Sequence, residues 1–303
     1  MYKPPSSKRL LANSARATVH PMLRRVCLIT GANRGLGLTT SIGLARLGAT
    51  VLMLCRDAGR GARALETVRR DSGNENVKLV VADLASLASI RRAAAEIAER
   101  HVALHVLVNN AGVNVARRRE SVDGIELTFA VNHLAPFLLT NLLVPLLRVG
   151  APARIVTVTS SFERLGRIHF ENLQLSRRYS ATRAYTQSKL ANALHTYEIA
   201  ERLQGTGVTA NCVHPGLVAT DLMRDFPDWL RSLWGKLLLT PENGARAIIN
   251  LAVAPDLEAV SGQYFSRMRK ARSSRRSHDI GLRKQLWRIS AQMTDSGHHD
   301  LPR

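Results

Sequence analysis

Two apolar patterns alternate along the chain. Short runs rich in Val, Ile, Leu and Thr at Val26–Thr30, Thr50–Cys55, Val77–Val81, Leu104–Val108, Arg154–Ser160 and Val208–Val213 read as buried strands. Between them, apolar side chains recur at helical spacing: Leu38, Ile42, Leu44, Ala45 and Leu47, then an Ala/Arg-rich stretch after Ser86, then the long apolar segment from Ile125 to Leu147, then Leu190, Leu194, Tyr197 and Ala200. Ser86 fits an N-cap. No Pro/Gly/Ser-rich linker and no internal repeat interrupts the alternation, so the 303 residues fit one α/β domain over 26–290, with flanking segments 1–25 and 291–303.

Charge changes the picture at the ends. The formal net charge of +20 comes from 43 basic and 23 acidic residues; residues 1–25 hold six basic and no acidic side chains, and 267–303 hold ten and three. Such basic tails read first as solvated extensions, with weak adsorption to an anionic membrane as the second use. No nucleic-acid module accompanies the charge, so specific nucleic-acid binding is not expected. The first 25 residues have the Arg and Ser of an organelle presequence but not the apolar core of a secretory signal. No run reaches the roughly 18 apolar residues of a membrane span; the nearest, Leu134 to Leu147, is interrupted by Pro136, Thr140, Asn141 and Pro145. Cys27, Cys55 and Cys212 fall in strands, as buried thiols of a reducing, cytoplasmic compartment would. No Cys/His cluster has metal-ligand spacing, and His298-His299 reads as a solvated pair.

Candidate chemistry sits at the ends of the strands. Gly31, Gly35 and Gly37 form a turn between the first strand and the first helix, the form of a dinucleotide-phosphate site or merely of a tight connection. At the end of the second strand an acid would select the ribose 2′-OH of NAD and an arginine the 2′-phosphate of NADP. Arg56 stands there, with Arg34 inside the glycine turn, and predicts NADP(H) over NAD(H); Asp57 is the counter-signal. Tyr185 and Lys189, four apart, share a helical face. An ammonium roughly 4 Å from the hydroxyl would supply on the order of 4 kcal/mol and bring the tyrosine down by up to about 3 pKa units. Ser160 could hold the substrate oxygen. Taken alone, the short pattern reads first as an amphipathic helix with an exposed lysine and a partly buried tyrosine.

Together these residues resemble the short-chain dehydrogenase/reductase family. The resemblance runs from about Val26 into the 290s and also rests on Asn109-Asn110-Ala111-Gly112, Asn132 and Pro215-Gly216, in the family's order. Gly166 to Leu173, Thr240 to Ala245 and Leu286-Trp287 resemble its retinol-dehydrogenase-like branch. The resemblance implies a Rossmann-type doubly wound parallel sheet of about seven strands with helices on both faces. It implies hydride transfer between NADP(H) and the carbonyl or alcohol carbon of a sizeable apolar substrate. Asn132, Ser160, Tyr185 and Lys189 would form the catalytic set, with Asn132 holding a water beneath Lys189. Gly31, Asn33, Arg34, Gly35, Leu36, Gly37, Arg56, Asp83, Leu84, Asn109, Ala111, Gly112, Tyr185, Lys189, Pro215, Gly216, Val218 and Thr220 would bind the cofactor. Asn109 reads first as a tie between this strand's end and its neighbours, and His214 reads as packing. An apolar lid over 221–240 and a homodimer through the Asn132 and Tyr185 helices are further expectations. The alternatives are a carbon-carbon double-bond reductase of the same family and a non-catalytic dinucleotide sensor.

Overall fold

A computed structural model of the chain describes residues 22–216 and 239–295. Val218, Thr220 and all but the last two residues of the lid expected over 221–240 lie outside the described residues, as do 1–21 and 296–303. Among the described residues eight strands form one sheet: β1 (Val26–Thr30), β2 (Thr50–Cys55), β3 (Val77–Val81), β4 (Val106–Asn109), β5 (Ala153–Val158), β6 (Val208–His214), β7 (Gln263–Ser266) and β8 (Arg269–Ala271). Their order is β3-β2-β1-β4-β5-β6-β7-β8; all neighbours are parallel except β7 and β8. The chain reverses direction across the sheet between β1 and β4, where ligands of open α/β sheets bind.

Among the described residues the α-helices are α1 (Gly35–Arg46), α2 (Ala58–Ser72), α3 (Leu87–Arg100), α4 (Leu127–Val149), α5 (Ala181–Arg202), α6 (Pro241–Val253) and α7 (Ile280–Met293). Because strand side chains alternate between faces, the sheet feeds two cores. Leu28, Leu52, Leu107 and Ile155 pack with α3, α4 and α5 on one face. Cys27, Ile29, Val51, Met53 and Val108 pack with α1, α2 and α6 on the other. Covered on both faces, the strands read as continuous apolar runs.

Three features depart from the pattern. β4 starts at Val106, two residues after the apolar run does, because the Leu104 N–H donates to the Leu146 carbonyl instead (3.0 Å). α4 spans 23 residues and holds an 18-residue window with a mean hydropathy of 1.5, enough by length and composition to cross a membrane, but 78% of that window is buried in the protein, as in a core helix. The basic stretch after residue 266 is folded as β8, a short helical turn at Arg275–His278 and α7. α7 packs on α4 and α5: Trp287 meets Phe137 at 4.8 Å and lies under Arg202 at 4.2 Å, and Arg283 pairs with the buried Glu198 at 2.8 Å.

Candidate active site

The glycine turn brings backbone against backbone. Gly31 has φ +65°, and a Cβ at Gly37 would lie 2.3 Å from the Gly31 carbonyl oxygen. α1 then begins at Gly35 with no side chain capping it, whereas the Asp57 carboxylate accepts the Arg60 N–H at 2.7 Å to cap α2 and the Ser86 hydroxyl accepts the Ser89 N–H at 3.2 Å to cap α3. First-turn N–H groups of α1 are thus left for an anion. Capping and the Arg60 and Arg63 charges hold the Asp57 carboxyl below its ordinary range, so the counter-signal acid is engaged as a cap. Arg56, exposed at the end of β2, Arg60 one turn along α2 and Arg34 line the same cleft, with Asp83 and Leu84 nearby. Arg60 was not singled out from sequence; its place in the first turn of the helix that follows β2 is the available signal.

The expectation for Asn109 as a cofactor ligand is corrected. Its side chain turns into the core, donating to the Thr140 hydroxyl on α4 at 3.0 Å, and is absent from the cleft wall. Its neighbour Asn110 lines the cleft and donates to the Thr30 carbonyl at 2.8 Å, while the Thr30 hydroxyl accepts the N–H groups of Asn110 and Ala111 at 3.0 Å each. Asn110 therefore holds the ends of β1 and β4 together at the glycine turn.

Beyond Ala111 and Gly112 the cleft, about 430 Å³ in volume, reaches Ser160, Tyr185, Lys189, His214, Pro215 and Gly216. Ser160 follows β5, accepts the Phe162 N–H at 3.3 Å and hydrogen-bonds the Tyr185 hydroxyl. Lys189 Nζ donates to the Val158 carbonyl at 3.2 Å and lies 5.5 Å from the Tyr185 ring centre. The expected lowering of Tyr185 by Lys189 is corrected: burial pushes the tyrosine up to about 12, opposed by the Ser160 hydrogen bond. Burial likewise pushes Lys189 down to about 8. Asn132 lies in a π-helical turn, Ala130–Leu134, near the start of α4. Its amide oxygen accepts the Val113 N–H at 2.7 Å and its nitrogen donates to the Val113 carbonyl and the Ser188 hydroxyl at 2.9 and 3.0 Å. Pro136 has no N–H for the Asn132 main-chain carbonyl four residues before it. A Cβ at Gly112 would lie 3.5 Å from Asn132 Oδ1 and 3.6 Å from Lys189 Nζ, which places the three around one point.

Two further residues frame this end. His214 faces the cleft as well as packing; burial, with the Arg267 charge, pushes it down to about 4. Glu163, in the short turn after Ser160, is fully buried and accepts the Ser274 N–H at 2.8 Å, pinning that turn to a segment 111 residues away. A charged residue in a loop reads as solvated, so no local signal pointed to Glu163.

Crevice, glycine turn and tyrosine-lysine helix define a dinucleotide-binding α/β oxidoreductase. The family model described as "short chain dehydrogenase" matches residues 25–231, and the chain belongs to that family. Human retinol dehydrogenase 11 is 38% identical over 291 residues, covering 95% of this chain and 92% of the relative. The crystal structure of an uncharacterised Mycobacterium paratuberculosis protein superimposes with a TM-score of 0.74 at 36% identity, covering 90% of this chain and 94% of that one. The Pseudomonas aeruginosa RhlG/NADP active-site complex gives 0.65 at 28%, covering 82% and 97%. The family binds a nicotinamide dinucleotide, and the close backbone at Gly37 and the uncapped start of α1 fit one.

Proposed function

We propose that the protein is an NADP(H)-dependent oxidoreductase that interconverts the carbonyl and alcohol forms of a sizeable apolar substrate. The observation that carries this reading is a single cleft with Arg34, Arg56 and Arg60 at one end and Ser160, Tyr185 and Lys189 at the other. The RhlG complex with NADP and the name of the human relative support the choice of nucleotide and of an apolar alcohol or aldehyde. Bound there, the nicotinamide would supply or receive the hydride. Ser160 and Tyr185 hydrogen-bond the substrate oxygen, and the Tyr185 hydroxyl gives or takes its proton. Lys189 fixes the nucleotide ribose, and the Asn132 turn holds a water that returns the proton to solvent. Arg56 and Arg60 take the 2′-phosphate by paired N–H donors.

Calorimetric titration of Arg56→Ala tests the nucleotide choice. Loss of a charge-assisted bond should weaken NADPH by about 10- to 100-fold and leave NADH within about threefold, about half of a tenfold step in binding free energy. Equal losses for both nucleotides would contradict the assignment.

A further inference from the structure

Segments 161–167 and 267–276 together hold eight Lys or Arg side chains and one acid, Glu163. All eight cations are exposed, whereas Glu163 is buried. Elsewhere on the surface some cations pair with acids, as in Arg69 with Glu66, Arg100 with Glu96 and Arg118 with Glu120. Among the described residues none of the eight pairs with a carboxylate; Arg164 and Arg276 instead donate to main-chain carbonyls of Arg272, Arg164 and Gly166, which binds the two segments into one surface. Each segment also puts a large apolar side chain between its cations: Leu165 is 66% exposed and Met268 52%.

The position of this surface matters as much as its charge. One segment leaves the carboxyl end of β5 immediately after Ser160, and the other turns at the carboxyl end of β7, where the Arg267 N–H donates to the His214 carbonyl at 2.7 Å. Both therefore flank the end of the cleft that holds Tyr185. Cations on β8 would by themselves serve to block pairing at a sheet edge. That accounts for Arg269 and Lys270 but not for Arg164 and Arg167, which lie off the edge, nor for exposed Leu165 and Met268, which an edge under protection would avoid. Nucleic acid would meet phosphate-binding charge here but no exposed aromatic ring on which a base could stack.

We propose that this rim is a docking surface for an anionic lipid bilayer. Cations hold the headgroups and Leu165 and Met268 enter the acyl boundary, so the catalytic end of the cleft faces the membrane. Docking itself does not depend on the NADP(H) reading; only its use, delivery of an apolar substrate to the cleft, rests on it. The test is co-sedimentation of the full chain with vesicles of phosphatidylcholine, with and without phosphatidylserine, for wild type, the double variant Arg269→Glu/Lys270→Glu, and Leu165→Ser/Met268→Ser. Wild type should bind only the phosphatidylserine vesicles. The charge variant should bind them at least about a hundredfold more weakly, and the apolar variant several-fold more weakly, with NADPH affinity of both variants unchanged as the check on folding. Vesicle binding equal to wild type in both variants would place any attachment elsewhere on the chain and overturn the proposal. So would absence of wild-type binding, or tighter retention of a single-stranded oligonucleotide than of the vesicles. Failure of the wild type to bind NADPH, with its vesicle binding intact, would count against the oxidoreductase reading alone.

Discussion

Tyr185 and Lys189 show burial winning over attraction. Both lose water in the cleft wall, which penalises the charged form of each and moves the tyrosine to about 12 and the lysine to about 8. Helical spacing put the two on one face but could not show that Nζ turns to the Val158 carbonyl, 5.5 Å from the ring centre. His133 and His195 pose the same issue in the core. They lie between α4, α5 and α7 with Trp287 stacked on His195 at 5.8 Å, and burial pushes both down to about 3. Between the ordinary histidine value of about 6.5 and that level the unfolded chain binds protons that the folded chain refuses, so stability falls as pH drops below about 6.5, by about 1.4 kcal/mol per pH unit for each ring. Neither ring nitrogen of His195 has a partner among the described residues. His195→Phe should therefore reduce the loss of denaturant-measured stability between about pH 6.5 and 5 by up to one proton's worth; an unchanged slope would contradict buried neutral histidine.

At the scale of elements, the strands and the glycine turn were legible because their pattern is local. Runs with both faces covered stay apolar throughout, and a strand followed by glycines and a helix is written in twelve consecutive residues, Val26 to Gly37. Register was less legible: Asn109 and Asn110 are equivalent in the sequence, and only the direction of the strand end decides which one turns into the core. Likewise Pro136 marked a break in α4, while the π-helical turn before it depends on the Ala135 N–H reaching the Ala130 carbonyl. Gly37→Ala tests the turn. Its methyl would meet the Gly31 main chain, which cannot step aside as a side chain could. The expected result is loss of at least about tenfold in affinity for either nicotinamide nucleotide, about 1.4 kcal/mol, by calorimetry. Retained affinity would show that the backbone does not need that approach.

Across the whole molecule, long-range closure was the least legible feature. The basic C-terminal stretch carries β8 and α7, and α7 packs on α4 and α5. Charge density in the sequence revealed neither. Glu163 reaching Ser274 is the same lesson at one contact, since a separation of 111 residues leaves no periodic trace. What the closure accomplishes is to fix the loop after Ser160 against the C-terminal segment, so that serine and Tyr185 meet at the end of the cleft. The most direct test of the central claim is NADPH oxidation with a panel of apolar aldehydes and ketones by wild type and Tyr185→Phe, with NADPH affinity measured on the same samples. Removal of the proton donor should lower turnover by at least about a hundredfold with NADPH affinity nearly intact, whereas turnover equal to wild type would contradict Tyr185 as the proton-transfer group.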